Sequence, residues 1–310
     1  MSHFPISFMS RAAVQTIAVG AAGAAWLVRS DTQKLQMHSL AWQEQQTAAQ
    51  AIESLVSRLS VAQSSGLQWV VAPSLLKHWL QQPPDQIQSL SELHAVTRQR
   101  ALQLFGNTHS LNMNEDASWV VDADWHASQA FLCGAMPSGW HSALMGNESS
   151  QDVNFASNKA YSFVNPLQLV IARFRRQFPS DGWLSVVVAN TLYLMFFKNT
   201  KYIHLRSLKL KTVSSTADIQ TVALVEWQRD KLRTQLNSEQ LHWLCFMPIV
   251  AASNVSSALL KPLQWAPANT TDMHEAESKT SLGSKNDQHV ELSEVKLTAW
   301  CALQCGEKQL

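Results

Sequence analysis

The sequence predicts a mixed α/β fold in which one structural unit occurs twice, with a small α+β insertion between the two copies. Residues 183–210 have the pattern of three consecutive strands, and residues 14–42 have the same pattern. Each stretch is followed by an amphipathic helix and then by a buried strand that ends at a proline. Because both copies must bury the same face of a sheet, a repeat of this length is stronger evidence than any short motif.

The second copy has the clearest strands. Trp183–Ala189 is almost continuously apolar, Leu192–Phe197 is aromatic or aliphatic, and the pairs Asn190-Thr191 and Asn199-Thr200 are typical of turns. The next segment alternates in polarity, which predicts a third strand with one face in water. Its two faces carry Ile203 with Leu205 and His204 with Arg206.

The first copy repeats this order of segments. Val14–Val19 and Ala24–Val28 are apolar and flank a turn that contains Gly20 and Gly23, and Lys34–Trp42 then alternates in polarity. The alternating segments of the two copies match at one constant offset. Leu35 matches Ile203, Met37 matches Leu205, and Ser39-Leu40 matches Ser207-Leu208.

Helices and buried strands follow in both copies. Gln43–Leu59 and Ser215–Leu236 are amphipathic, and the strands Leu67–Pro73 and Leu241–Pro248 come after them. A second helix is predicted behind each strand, at Ser74–Leu80 and at Ala251–Leu260. Helical connections between later strands predict a mixed sheet with a parallel portion.

The insertion is predicted to hold one helix and a pair of strands. Trp119–Val121 and Gln129–Cys133 are the strands, and they flank a turn at Asp122–His126. Pro137–Lys159 is rich in Ser, Asn and Gly, which predicts a loop. The helix is Asp85–Phe105, with Ile87, Leu90, Leu93, Val96 and Leu104 expected to face inward.

Domain boundaries follow from these elements. Residues 1–163 are predicted to form the first half, which includes the insertion at about 84–160, and residues 164–310 form the second half. A helix from Asn165-Pro166 to Phe174 leads into that half. Residues 267–289 are polar with little to bury, which predicts a flexible segment before order returns at Val290–Leu303.

Composition and charge narrow the function classes. With 46% hydrophobic and 15% charged residues, the chain is that of an ordered globular protein. A net charge of +1 gives no general reason to expect a nucleic acid or an acidic partner. The four cysteines have no spaced framework, which suits a reducing compartment, and no set of about four ligands indicates a zinc site.

The segment Ala12–Val28 has two interpretations. Arg11 followed by apolar and small residues resembles a secretory signal peptide, which leaves an exported protein as one alternative. The repeat favours two strands and a turn instead. Gln15 and Thr16 interrupt the stretch too early for a membrane span.

Two groups of polar residues also have alternative interpretations. Asp122, Asp124 and His126 match a metal or acid–base cluster, but aspartates form local hydrogen bonds in turns, and the turn is favoured. A set of basic residues is expected to form a solvated face, with contact to anionic lipid headgroups as the alternative. This set is Arg173, Arg175, Arg176, Lys198, Lys201, Arg206, Lys209 and Lys211.

Four segments of the chain occur in the order found in a known group of proteins. Trp119–Asp122 followed by Ala130–Ala135 matches an inserted subdomain, Val164–Arg173 a return to the second half, and Thr298–Gln304 a closing helix. In these segments the chain resembles the PilM, MshI and GspL group of type IV pilus and type II secretion assembly proteins. The resemblance implies a duplicated actin-like (RNase H-like) ATPase fold with a small inserted α+β subdomain.

The nucleotide-binding members of this fold use acidic and glycine-containing turns, and the present chain departs from them. Its first turn has Gly20 and Gly23 but no acidic residue, and its second, at Asn190 and Thr191, has neither. Pro248–Ser253 contains no glycine where the adenosine would be held. Without a carboxylate a magnesium ion has no anchor, so we expect no ATP turnover, no cofactor and no metal. Weak binding of ATP stays an open alternative.

The resemblance further implies a non-catalytic cytoplasmic scaffold, peripheral to the inner membrane, for pilus or type II secretion assembly. Its expected partner is a PilN-like bitopic membrane protein whose N-terminal peptide lies in a groove beside the insertion. An assembly ATPase is a further candidate partner, and no nucleic acid is expected. The groove is expected near Trp119, Asp122, Trp125 and Phe131. The alternative function is that of a degenerate, sugar-kinase-like ATP-binding enzyme.

Overall fold

The computed structural model describes most of the two predicted copies and of the insertion. The described residues are 15–29, 35–43, 46–59, 67–106, 119–145, 163–210, 216–246, 260–262, 274–275, 296, 298 and 299. The α-helices are α1 (Ala48–Arg58), α2 (Leu90–Phe105), α3 (Ser138–Met145), α4 (Pro166–Phe174) and α5 (Thr216–Thr234). None of the described helices combines the length and the low charge content needed to cross a bilayer.

The strands form three sheets. Those of the first sheet are β1 (Gln15–Val19), β2 (Gly23–Arg29), β3 (Leu35–Ala41), β4 (Leu67–Val71), β8 (Phe163–Val164) and β14 (His274–Glu275). The inserted sheet contains β5 (Lys77–Gln81), β6 (Trp119–Ala123) and β7 (Phe131–Pro137). The second sheet contains β9 (Gly182–Val188), β10 (Thr191–Lys198), β11 (Lys201–Lys209), β12 (Leu241–Phe246) and β13 (Leu260–Pro262).

The first and second sheets have the same topology. Their strand orders are β14-β3-β2-β1-β4-β8 and β11-β10-β9-β12-β13. In each sheet the first three strands of the copy are antiparallel neighbours, and the fourth pairs in parallel with the first. One long helix, α1 or α5, joins the third strand to the fourth. This is the mixed sheet that the sequence predicts for both copies.

The register of the two sheets also agrees. In each sheet, three residues lie side by side across the first three strands of the copy. These are Ala18, Ala25 and Ser39 in the first sheet and Val186, Tyr193 and Ser207 in the second. Each member of the second set follows its counterpart by 168 positions (186 − 18, 193 − 25, 207 − 39). The offset seen in the sequence is therefore a structural equivalence, and the duplicated fold is confirmed.

The parallel neighbours extend this equivalence to two tryptophans. Trp69 of β4 pairs with Ile17, and Trp243 of β12 pairs with Ser185 at the equivalent place. Both tryptophans are buried against the helix of their own copy, α1 or α5. The Leu-x-Trp patterns that begin the two predicted strands thus mark the same position in both sheets.

Two elements differ from the predictions. The helix predicted at Ser74–Leu80 is wrong, because a 3₁₀ turn at Pro73–Leu75 is followed by β5, which pairs with the distant strand β7. The loop predicted at Pro137–Lys159 begins with α3, whose Leu144 packs against α1. The predicted helix Ala251–Leu260 lies outside the described residues up to its last residue, which begins β13. Of residues 267–289, only β14 is described.

The inserted sheet has the order β5-β7-β6 and is antiparallel throughout. Its helix α2 covers one face, where Leu93 and Ala101 pack with Trp79, Trp119 and Phe131. Its first strand precedes the predicted start of the insertion near residue 84. The insertion is therefore an α+β unit, as the sequence predicts.

The face of β11 that carries His204 and Arg206 was predicted to lie in water, and this prediction is wrong. Helix α5 covers that face, and Asp230 of α5 is 1% exposed. Its carboxylate accepts hydrogen bonds from Arg206 Nη1 at 2.6 Å and from His204 Nε2 at 3.2 Å. A β-bulge at Ile203 separates this part of the strand from Tyr202, which faces the opposite core.

Replacing Asp230 with alanine is expected to lower the free energy of unfolding by about 3 kcal/mol, because it removes the buried carboxylate that accepts hydrogen bonds from Arg206 and His204. Arg229→Ala is the matched control on the same helix, since the Arg229 side chain is 67% exposed. Its removal is expected to change the free energy of unfolding by less than about 0.5 kcal/mol. Urea denaturation measures both variants, and similar losses in the two would contradict a buried network.

Candidate functional site

The turn between β1 and β2 is closed by hydrogen bonds within the protein. The Gly20 amide donates to the Gly23 carbonyl at 2.8 Å, and the Ala21 amide donates to Ser74 Oγ at 3.1 Å. The indole of Trp42 donates to the Gly20 carbonyl at 2.9 Å. Backbone amides of such a turn bind phosphate only when they are available to anionic oxygens. Here these two donors already have partners.

The turn between β9 and β10 has a different closure. The Leu210 amide donates to the Asn190 carbonyl at 2.7 Å, and Thr191 Oγ1 donates to Asn190 Oδ1 at 3.4 Å. Ala189 has a φ of 52° and so carries a Cβ in the left-handed region, where glycine would have no steric cost. Across the described residues, no three metal-ligating side chains come together.

A buried histidine joins the insertion to the second half. His78 of β5 lies 2.8 Å through Nε2 from Asn165 Nδ2 and 3.3 Å through Nδ1 from the Tyr193 hydroxyl. Asn165 caps α4, and its Oδ1 accepts a hydrogen bond from the Leu167 amide. Because the amide nitrogen of Asn165 is a donor, Nε2 of His78 must be the acceptor, which places the ring proton on Nδ1 toward Tyr193.

A glycine makes this junction possible. A Cβ added to Gly134 of β7 would lie 2.9 Å from Asn165 Nδ2, closer than such atoms approach in proteins. Around the three polar residues, Leu132 of β7 packs with the apolar face of α4 and with Tyr193. The insertion therefore rests on α4 and on the second sheet through one face. Its α2 face is turned away from this contact.

The four residues predicted to lie near a groove do not share one surface. Trp119 and Phe131 are buried under α2, with 3% and 1% exposure. Asp122 is on the other face of β6, where its carboxylate accepts hydrogen bonds from Gln168 of α4 and from the Ala123 amide. Burial raises the pKa of this carboxyl. Of the four, Trp125 is the one whose ring is partly exposed on the α2 side.

Trp125 belongs to a small aromatic and apolar surface. Its ring stacks on His94 of α2, with ring centroids 3.9 Å apart and planes inclined by 22°. Leu90 lies one turn before His94 on the same helix and is 58% exposed. We call Leu90, His94 and Trp125 the Trp125 surface.

The exposure of Leu90 and Leu104 contradicts the prediction that both face inward. The buried stripe of α2 is instead formed by Leu93, Thr97 and Ala101, which follow one another at intervals of four residues. Small side chains in this stripe let the helix lie close to the inserted sheet. The sequence pattern missed the stripe because a threonine and an alanine are weak hydrophobic signals.

Strand β6 is the outer strand of the inserted sheet. The Asp124 amide donates to the Leu132 carbonyl at 3.0 Å, so residues at alternate positions, such as 120 and 122, direct their backbone groups toward β7. The backbone groups of Trp119, Val121 and Ala123 then point to the outer edge. Since Asp122 covers the Ala123 amide, Val121 is the central outward donor of this edge. We call residues 119–123 along this side the β6 edge.

No protein-family model matches the chain, and no curated protein matches it. Solved structures do match, and one is a protein of actin-like ATPase fold and unknown function from Bacteroides thetaiotaomicron. That match has 11% identity and a TM-score of 0.45 and covers 77% of this chain and 83% of that one. The duplicated sheets of the chain, each with three antiparallel strands and a parallel fourth, have the arrangement that the resemblance in sequence implies.

Two further matches are to assembly proteins. The cytoplasmic domain of EpsL, an inner membrane component of the type II secretion system of Vibrio cholerae, has 13% identity and a TM-score of 0.37. It covers 81% of this chain and 90% of that domain. A PilM–PilN type IV pilus biogenesis complex has 13% identity and a TM-score of 0.45, with 96% and 99% coverage. Both are similar in fold to the present chain.

The junction predicts a specific dependence of stability on pH. Burial lowers the pKa of His78 from 6.5 to about 4, so between these values the unfolded chain binds more protons than the folded chain. The free energy of unfolding is expected to fall as pH falls from about 6.5 to about 4, by about 3 kcal/mol for this group. His78→Gln retains an amide for hydrogen bonding but does not titrate. Urea denaturation at several pH values should therefore show the two proteins converging as pH falls, whereas parallel profiles would exclude a buried neutral His78.

Proposed function

We propose that this chain is a non-catalytic scaffold of a pilus or type II secretion assembly platform, and that it holds a short segment of a PilN-like bitopic membrane protein along the β6 edge. In this proposal it acts in the cytoplasm, peripheral to the inner membrane. The sequence resemblance to the PilM, MshI and GspL group supports the class of function. The geometry of the insertion supports the place of binding.

The observation that carries the proposal is that the inserted sheet ends in β6 with outward backbone groups at Val121. An extended peptide adds to such an edge as a further strand, because backbone hydrogen bonds supply affinity and alternate side chains supply specificity. The Trp125 surface lies at the α2 side of the same edge and offers an aromatic anchor of the kind that dominates binding energies.

The absence of catalysis is proposed from the two turns. In a nucleotide-binding actin-like fold, turn amides and a carboxylate hold phosphate and magnesium. Here the amides of Gly20 and Ala21 are bonded to Gly23 and Ser74, and neither turn contains an acidic residue. Phosphate binding would have to break these bonds, so the fold is proposed to serve as a frame and not as an ATPase.

Replacing Val121 with proline tests the β6 edge. Proline removes one outward donor, and an edge strand tolerates it where the lost amide faces away from the ladder. Binding of the N-terminal peptide of the proposed PilN-like partner is expected to weaken by about tenfold. Isothermal titration with the full chain measures this. Val121→Ala, which keeps the amide, is the control and is expected to bind nearly as well as the unaltered chain.

Two outcomes would count against strand addition. Equal weakening by Val121→Pro and Val121→Ala would mean that the side chain, and not the backbone edge, makes the contact. Unchanged binding in both would place the peptide elsewhere. Trp125→Ala separates these cases further, since loss of the aromatic anchor is expected to weaken binding by about tenfold or more while stability changes little.

The competing enzyme function has its own test. Titration of the full chain with Mg-ATP is expected to give no saturable heat, because the turn donors are already bonded within the protein. Ser74→Ala releases the Ala21 amide and serves as a comparison. A clear saturable isotherm for the unaltered chain would favour the degenerate ATP-binding enzyme over the scaffold.

A further inference from the structure

The end of the second half where β10 turns into β11 carries four exposed basic side chains. Arg175 and Arg176 belong to a 3₁₀ turn that follows α4, and Lys198 and Lys201 flank the β10–β11 turn. We call these four residues the basic end. They come from two segments of the chain, the turn after α4 and the β10–β11 hairpin.

Two hydrogen bonds from backbone amides hold the β10–β11 turn beside the segment that precedes β9. The Thr200 amide donates to the Ser180 carbonyl at 2.8 Å, and the Asn199 amide donates to Asp181 Oδ1 at 3.0 Å. Below them, the rings of Phe178 and Phe197 lie 5.8 Å apart. The guanidinium of Arg175 donates a hydrogen bond to the Tyr202 hydroxyl, which places the first segment beside the start of β11.

The turn itself is strained. Asn199 and Thr200 have φ values of 51° and 63°, and a β-branched residue in the left-handed region is uncommon. Strain of this kind persists only where the surroundings hold it, and it is enriched at functional positions. Here the bonds to Ser180 and Asp181 hold it, and the result is that Lys198 and Lys201 stand at the tip of the hairpin.

The charges of the basic end are not neutralised within the described part of the chain. Arg176, Lys198 and Lys201 form no ion pair there, and Arg175 donates to the neutral hydroxyl of Tyr202 at 3.2 Å. Arg206 differs, because its guanidinium is bonded to Asp230 and Glu226.

Among the described residues, two acidic groups are seen near the basic end. Asp181 accepts the hydrogen bond from the Asn199 amide, and Asp124 is close enough to affect the pKa of Tyr202. The four cations therefore outnumber the neighbouring carboxylates, and the surface has a positive charge.

We propose that the basic end contacts the anionic lipid headgroups of a membrane surface. The proposal rests on the proposed function only in that it places the scaffold beside the inner membrane. Anionic headgroups attract clusters of Lys and Arg, and the attraction grows with each basic residue that reaches the surface. A rigid hairpin tip presents these charges together, so little side-chain and loop freedom is lost on contact.

Flotation of the full chain with lipid vesicles tests the proposal. Vesicles of phosphatidylglycerol and phosphatidylcholine are expected to bind the chain, pure phosphatidylcholine vesicles are not, and binding should weaken as salt is raised. Arg176→Glu with Lys201→Glu is expected to reduce binding by about tenfold or more. The control is Arg58→Glu with Arg100→Glu, two exposed arginines on α1 and α2. Each pair changes the net charge from +1 to −3 (1 − 4).

Three outcomes would overturn the proposal. The first is that the chain does not float with anionic vesicles. The second is that both double variants lose vesicle binding equally. The third is that the chain binds polyglutamate as well as it binds anionic vesicles at the same salt concentration. Should the first double variant fold poorly by circular dichroism, Arg176→Glu with Lys198→Glu tests the same surface. Titration with the partner peptide is expected to be unchanged in these variants, so a failed lipid contact is distinguishable from a failed scaffold function.

Discussion

The hydrogen bonds of His78 are the contact on which the placement of the insertion depends. An imidazole buried with two partners must stay neutral, and each lost partner would leave a polar group without solvent. Asn165 and Tyr193 supply the two partners, and Gly134 leaves room for the first. Because these residues come from the start of the second half, the second sheet and the inserted sheet, one small polar cluster sets the orientation of all three. The β6 edge and the Trp125 surface face outward as a consequence.

The two copies keep one register but differ in what they bury. At equivalent positions the first sheet has Ile17 and the second has Ser185, and both are fully buried. The second helix also buries Asp230 against β11, where a purely apolar contact would suffice for folding. A buried carboxylate that accepts hydrogen bonds from Arg206 and His204 fixes the position of the helix relative to the strand, which an apolar stripe does not require. The sheet register follows from the repeat, and the details of helix docking differ between the copies.

Much of the fold was predictable because its signals are local. The strands of both copies alternate in polarity or are continuously apolar over short stretches. The offset in sequence between Met37 and Leu205 equals the offset between equivalent paired residues of the two sheets. The sequence does not predict β5 because this strand pairs with a distant one, β7. Trp79 of β5 lies opposite Cys133 of β7, far along the chain. The place of Trp125 in the predicted turn indicates an accessible residue. Trp119 and Phe131, the aromatic residues on either side of it, are buried in the core. The residue type alone does not distinguish an accessible aromatic side chain from a buried one. The His78 cluster gave no signal, since its members lie 87 and 115 positions apart.

The β1–β2 turn and the His78 junction are both held by hydrogen bonds within the protein. A phosphate cradle in a working nucleotide site has donors that are satisfied by ligand, and bound ligand then adds to the stability of the folded state. In this chain Gly23 and Ser74 accept the hydrogen bonds of the turn amides, and Trp42 donates to the Gly20 carbonyl. The backbone groups of this turn therefore have their partners within the first half. His78 likewise holds the insertion against Asn165 and Tyr193 through contacts within the protein. A frame that is already ordered loses little freedom when a strand is added at its edge, which is what the proposed docking role requires.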